Sequence, residues 1–270
     1  MMKKFLTVLL ALVMLLSIVA CRGSGDNGGG NEGGETTSAS GAVGRGDDPK
    51  SEGTVTYAEY IEAEIGTAVQ IEAYVQAATY WRVNKEDGAG KITVYLQDCD
   101  GAYLVQDMIC TEADAAKLTR GARVRVTGDK AVWNGRTQVD HGAFELISGE
   151  TFIAAATDLS ALLGTEELVN HQNKRISFKG MTVEAISEEE DLAFFYRWDN
   201  SGSDGDDLYF IASDGKETYT FTVESDLMNK DSDVYKAVKA LKIGDKIDME
   251  GFLYWNEGAR PHITSVTAAS

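Results

Sequence analysis

The side chains best suited to contact a ligand are aromatic, and their positions recur. Four tryptophans stand in the chain. Trp133 and Trp255 both sit in a Trp-Asn step between two alternating runs, in "RVRVTGDKAVWNGRTQV" and "KIDMEGFLYWNEGARPHI". Trp81 and Trp198 follow the first long apolar strand pattern of their halves, and Tyr95 and Tyr209 stand in the hairpin patterns that come next. Flat rings presented on a surface stack on sugars or nucleobases and anchor protein partners. These six residues, Trp81, Tyr95, Trp133, Trp198, Tyr209 and Trp255, are therefore the candidate ligand-binding set.

Residues for other chemistry are sparse. The histidines His141, His171 and His262 are scattered over strand and linker positions, and His141 reads as a surface residue. His141 beside Asp140 makes no acid/base pair on a strand, because neighbours point to opposite faces. No HExxH, GxSxG, CxxC or phosphate-loop motif is written in the chain, so no catalytic residue and no cofactor are expected. The acidic loop from about Ser187 to Asp207 offers calcium-type oxygen ligands. Counted from Asp199, however, the sixth position is Asp204 where an EF-hand needs glycine, and the twelfth is Phe210 where it needs glutamate. The loop reads as a solvated acidic face with no metal. Cys99 and Cys110 flank a predicted strand, which would hold them too far apart to bridge directly.

Those aromatics need rigid elements to position them, and the elements come in two matching sets. In the first, "TYAEYIEAEIG" predicts a helix with Thr56 as N-cap, Tyr57, Tyr60, Ile61 and Ile65 on one face, and Gly66 as the stop. A strand follows over about residues 67–82. A hairpin then turns at Asp100-Gly101, "TEADAAKL" supplies a short helix, and a second hairpin turns at Asn134-Gly135. In the second set, "TDLSALLGTEELVNH" predicts the opening helix and "KRISFKGMTVEAI" the long strand. A hairpin at Asp214-Gly215, the helix "SDVYKAVKALK" and a closing strand pair complete it.

Registers repeat as well. Gly121 and Gly128 are seven apart, as are Gly244 and Gly251; Tyr95 precedes Gly101 by six residues, as Tyr209 precedes Gly215. Strand, strand, strand, helix, strand, strand is the order of the OB-fold, and each half resembles that superfamily. The resemblance covers roughly residues 55–270. It implies two mainly β, tandem five-stranded barrels over 54–150 and 151–270, each with a helix between strands three and four and a preceding helix. The competing architecture is a β-sandwich. In the barrel reading, Ile92, Val94, Leu96, Tyr103 and Val105 fill the first core, and Phe210, Tyr219 and Phe221 the second. Tyr95, Tyr209 and Ile211 then face outwards. OB-folds bind oligonucleotides and oligosaccharides on the face of strands two and three, flanked by the loops after strands one and four, where the tryptophans fall.

The N-terminus speaks to location. Lys3 and Lys4 precede an apolar run from Phe5 to Val19 that ends in "SIVAC". Residues 1–20 read as a secretory signal. Ile18, Val19, Ala20 and Cys21 resemble the lipobox of bacterial lipoproteins, which implies cleavage before Cys21 and acylation of that residue, palmitate included. The expected location is outside the cytoplasm, anchored to the bacterial cell membrane. From Arg22 to Gly53, eleven of 32 residues are glycine, and residues 21–53 are expected to form a flexible tether.

The full chain carries a formal charge of −18. Removing residues 1–20 takes two of the 25 Lys and Arg and none of the 43 Asp and Glu, leaving −20. Such a charge repels phosphate backbones, and no basic stripe offsets it. The sequence therefore predicts a surface-anchored, non-enzymatic binding protein for an extended neutral ligand, a glycan first, or for a protein partner. Extracellular nucleic acid is the alternative that the charge disfavours, and a hydrolase using two carboxylates comes last.

Overall fold

The computed structural model describes residues 46–187 and 191–269. The predicted signal, the lipobox with Cys21, most of the tether and the acidic residues Glu188, Glu189 and Glu190 lie outside the described residues.

The first half opens with α1 (Tyr57–Glu62), capped reciprocally by Thr56 and Glu59 as a capping box. The helix stops well before Gly66, and the Lys130 ammonium takes the freed carbonyls of Ile61 and Ala63. Consequently Ile61 and Ile65, expected on the packed face, are exposed. The strands follow as β1 (Ala68–Ala78), the two-residue β2 (Arg82–Val83), β3 (Gly90–Gln97) and β4 (Ala102–Ile109). A single turn of helix, α2 (Glu112–Ala115), then leads to β5 (Arg123–Trp133) and β6 (Arg136–Leu146).

β1 pairs antiparallel with β3 and β5, β3 with β4, and β5 with β6, while β4 and β6 meet in parallel at Val105 and Val139. The ring is closed, with the OB-fold connectivity and α2 between the third and fourth barrel strands. Alternation places Ile92, Val94, Leu96, Tyr103 and Val105 in its core, as the sequence predicts.

The second half repeats the ring. Its elements are β7 (Thr157–Asp158), β8 (Arg175–Glu184), β9 (Phe194–Tyr196), β10 (Leu208–Ser213), β11 (Thr218–Val223), α3 (Asp233–Lys239), β12 (Lys246–Phe252) and β13 (His262–Ala268). β8 pairs with β10 and β12, β10 with β11, and β12 with β13, and the parallel closure joins β11 to β13 at Thr222 and His262. The opening helix predicted for this half is absent. Thr157–Asp158 adds as a parallel strand to β8, and two 3₁₀ segments, Ser160–Leu162 and Glu166–His171, follow, divided by Gly164 at φ +74°.

The repeated glycines have a shared cause. Gly121 and Gly244 both enter the fourth barrel strand at φ +89°. Gly128 and Gly251 lie where that strand crosses the fifth at a bulge; a Cβ there would stand 2.6 Å from the Asp140 carbonyl oxygen or 2.1 Å from that of His262.

The end of the predicted tether belongs to the first barrel. Residues 46–53 lie along it through Lys50 to Asp98 at 2.9 Å, Arg123 to the Pro49 carbonyl at 2.6 Å, Gln70 to the Glu52 carbonyl at 3.1 Å, and Asp48 to Tyr74. Composition missed this because polar side chains of the barrel, not apolar burial, hold the segment.

The barrels also pack on each other. Tyr95 and Leu104 of the first and Leu227 and Phe252 of the second form a separate buried cluster. Around it, the Gln97 side chain accepts from Arg175 N at 2.8 Å, Gln172 bridges Thr137 N and the Gly135 carbonyl, and Asn173 donates to the Thr137 carbonyl.

Candidate binding faces

Each barrel presents a cavity on the side predicted for a ligand. On the second barrel it measures about 510 Å³. Its floor is Tyr209 and Ile211 from β10 with Thr220 and Thr222 from β11. One wall is Phe195 and Trp198, and the other is Tyr254, Asn256 and Arg260 from the loop between β12 and β13. On the first barrel the cavity measures about 590 Å³, with Gln106, Asp107 and Ile109 of β4, Trp133 at the end of β5, and Gln138, Asp140 and His141 of β6. Tyr254 lines both cavities, so the two faces adjoin.

Three of the six predicted residues lie on these faces. Trp198 is 76 % exposed and Trp133 63 % exposed, both free to stack, and half-buried Tyr209 lies in the floor.

The structure places the other three outside these two linings. Tyr95 does face out of its barrel, but the second barrel covers it; its ring stacks on Phe252 at 4.4 Å and its hydroxyl meets His262 Nδ1 at 3.1 Å. Trp81 packs on the first core, lies against Gly90 where no Cβ would fit, and donates Nε1–H to the Cys110 carbonyl at 3.0 Å. Trp255 is half-buried against the second core and faces Gly135 across the seam between barrels. Parity along one strand determines which face a residue takes, but only the neighbouring barrel determines whether that face is covered.

Sequence reasoning missed Tyr254, Arg260 and His262. Tyr254 was legible only as the neighbour of Trp255 on an alternating strand end. His262, read from the sequence only as a scattered histidine, is 7 % exposed. The Arg136 guanidinium lies 4.3 Å over the Tyr254 ring, and the opposite face of that ring stacks on His262 at 4.0 Å and 14°. Both faces of Tyr254 are thus occupied, and it serves the cavities as a wall. His262 Nδ1 stands 2.8 Å from the Glu224 carboxylate. Burial pushes the Glu224 carboxyl up, but His262, Arg82 and Arg136 outweigh it and hold it below the ordinary carboxylate range. Asp226 shows the reverse balance: burial raises it, Arg82 opposes, and Glu224, Asp207 and Asp107 add to the rise.

The two faces differ in charge. The second has no carboxylate among its lining residues and carries Arg260. The first has Asp107, held by Arg82 at 2.7 Å, and Asp140, which accepts from the Gln138 amide at 2.6 Å, balanced in its lining by Lys91 and Arg136. Two carboxylates therefore share a cleft there, each already bonded. Asp107 and His141 both take positive φ, 47° and 52°, next to strand bulges that turn them into the cavity.

No group of three His, Cys, Asp or Glu among the described residues could hold a metal. In the acidic loop, Asp199 bonds Ser201, Asp206 bonds Ser203 and Asp207 bonds Ser225. Cys110 is a free, half-buried thiol whose burial raises its pKa.

No protein-family model matches the chain, and no curated protein matches it. Among solved structures, it is similar to a murine DNA-binding protein bound with double-stranded DNA, at 10 % identity and a TM-score of 0.38 over 74 % of this chain and 99 % of that one. The p204 HINb domain is similar at 11 % identity and a TM-score of 0.36, over 77 % and 99 %. A replication protein A heterotrimer bound to single-stranded DNA gives 10 % identity and a TM-score of 0.29, over 85 % and 72 %. Likenesses this low carry no argument about what the chain binds.

Proposed function

We propose that this chain is a non-enzymatic binding protein that takes an extended ligand across its two adjoining faces, and that single-stranded nucleic acid fits the second face best. The observation that carries this reading is local. In a chain of net charge −18, the second face combines Phe195, Trp198, Tyr209 and Tyr254 with Arg260 and no lining carboxylate. The expected preference for neutral glycans rested on the absence of a basic stripe. With no carboxylate in its lining, this face opposes a phosphate less directly than the net charge of the chain implies, and bases can stack on exposed Trp198. A lipid at Cys21, implied by the lipobox, would hold both faces outside the cytoplasm at the membrane surface.

A glycan remains the second reading, on the strength of the first face. There exposed Trp133 stands beside Asp107, Asp140, Gln106 and Gln138, a set of acceptors and amides suited to sugar hydroxyls.

Intrinsic fluorescence of the full chain, titrated with oligothymidylate and with neutral glycans, tests both. We expect saturable quenching by oligothymidylate, weakened roughly tenfold in Trp198→Ala by loss of one stacked base. The salt dependence should be shallow, with a log–log slope near −0.7 for each phosphate contacted. A response to glycans alone, lost in Trp133→Ala, would select the second reading, and no response to either class would sink both.

A further inference from the structure

A third cavity, of about 470 Å³, lies between the barrels and shares no lining residue with either face. From the first barrel it takes the bulged end of β1 and the turn before β5. From the second it takes the start of β8, the segment after β11, and β12 with β13. Its apolar wall continues the contact that joins the barrels. Leu227 and Phe252 belong to that buried cluster, Met228 packs on it, and buried Leu118 adds to the wall from the first barrel. The volume falls within the range of small-molecule sites, about 300–1,000 Å³.

The charged residues of this lining are Arg120, Arg175 and Glu250, one positive charge in excess within a chain of net charge −18. Arg175 is held in place. It donates to the Ala154 carbonyl at 2.7 Å and to the Glu250 carboxylate at 2.7 Å, and the other N–H groups of its guanidinium remain to be used. Arg120 is positioned by its backbone, because the N–H of the following Gly121, at φ +89°, bonds the Val75 carbonyl at 2.7 Å beside the bulge of β1. Its guanidinium has no hydrogen-bond or ion-pair partner among the described residues. Burial and the nearby charge of Arg175 push that guanidinium below its ordinary pKa, with Glu250 opposing, so both cations feel one another across this space and share one carboxylate.

We propose that this cavity binds an organic monocarboxylate with an apolar body, the carboxylate joining Arg120 to Arg175 and the body lying on Leu118, Leu227, Met228 and Phe252. The excess of one positive charge matches one carboxylate, and the guanidinium fork matches its two oxygens. A ligand without the charge leaves Arg120 unpartnered beside another cation. A ligand without the apolar body leaves the wall unfilled. Because residues of both barrels line the cavity, an occupant also braces their docking and stabilises the folded chain by mass action. The site is independent of what either face binds.

The test titrates octanoate, its neutral counterpart octan-1-ol and inorganic phosphate into the full chain with methyl-labelled methionine, the Met228 signal being assigned from Met228→Leu. We expect octanoate to shift the Met228 methyl saturably, and octan-1-ol to do so roughly tenfold more weakly, for want of one charge-assisted interaction. Arg120→Gln alters an exposed side chain and should fold as the parent does. It should weaken octanoate roughly tenfold and leave octan-1-ol unchanged. Octanoate should also raise the midpoint of thermal unfolding of the parent more than that of the variant. Equal binding of octanoate and octan-1-ol, an octanoate affinity kept in Arg120→Gln, or a titration that leaves Met228 unmoved would each overturn the proposal. Phosphate shifting Met228 as strongly as octanoate would show a bare anion site and overturn the apolar half. None of these outcomes touches the nucleic-acid reading, which is read from Trp198 on the second face.

Discussion

Trp81 and Trp198 are the same residue type at matching places in the two halves, yet they do opposite work. Trp81 fills the space over Gly90 and satisfies its indole N–H on the Cys110 carbonyl, whereas Trp198 stands almost wholly in solvent. Truncation should separate them. Trp81→Ala is expected to cost about 2–3 kcal/mol of stability in a urea titration, from lost packing and a stranded carbonyl. Trp198→Ala should stay within roughly 0.5 kcal/mol of the parent, as exposed substitutions do. Equal losses would show that Trp198 packs rather than binds. At this scale the sequence nominated aromatic residues but could not rank them, since an indole is equally suited to a core and to a ligand.

Among elements, the fourth and fifth barrel strands carry the tightest constraint. Gly128 and Gly251 let these strands cross at backbone contact, and Gly251 sits directly against His262. Gly251→Ala has no room for its methyl group, so the start of β13 must move, and with it the ring that joins Glu224 to Tyr95. We expect a loss of about 2–4 kcal/mol, in the range of other forced backbone shifts, read as a lowered midpoint of thermal unfolding. A wild-type midpoint would mean that the crossing is looser than described. The strands and their hairpins were legible because alternation and Asx-Gly turns are local signals. The opening helix of the second half was not, because pairing of Thr157–Asp158 with β8 overrides local propensity.

At the scale of the whole molecule, charge is arranged to hold pieces together. The Glu72 side chain is 1 % exposed and is gripped by Arg123 at 3.0 Å, Arg125 at 2.9 Å and Ser51 N at 3.2 Å, which ties residues 46–53 to the barrel. Burial raises its pKa, but hydrogen bonds from Ser51 and Arg125 and the charge of Arg123 outweigh that and hold it below the ordinary 4.5. A carboxyl depressed on folding stabilises above its unfolded pKa, and the contribution is lost as pH falls through the folded value. Stability should therefore drop as pH falls below about 4.5, and Glu72→Gln should remove roughly 2–3 kcal/mol at pH 7, the cost of leaving two arginines without their partner. The same variant should open residues 46–53 to proteolysis. Resistance equal to the parent would show that the segment is held by its other contacts.

By itself the sequence determined what is written at short range: alternating strands, glycine turns, the doubled element order and the side of each strand a residue occupies. Those follow from backbone stereochemistry and a period of two, which need no distant partner. Tertiary structure decided what is covered. Tyr95 meets His262 across 167 positions of chain, and only docking of one barrel on the other turns an outward tyrosine into a buried one and a scattered histidine into the wall of a binding face. Burial is a property of surfaces brought together, so no local pattern could have assigned it.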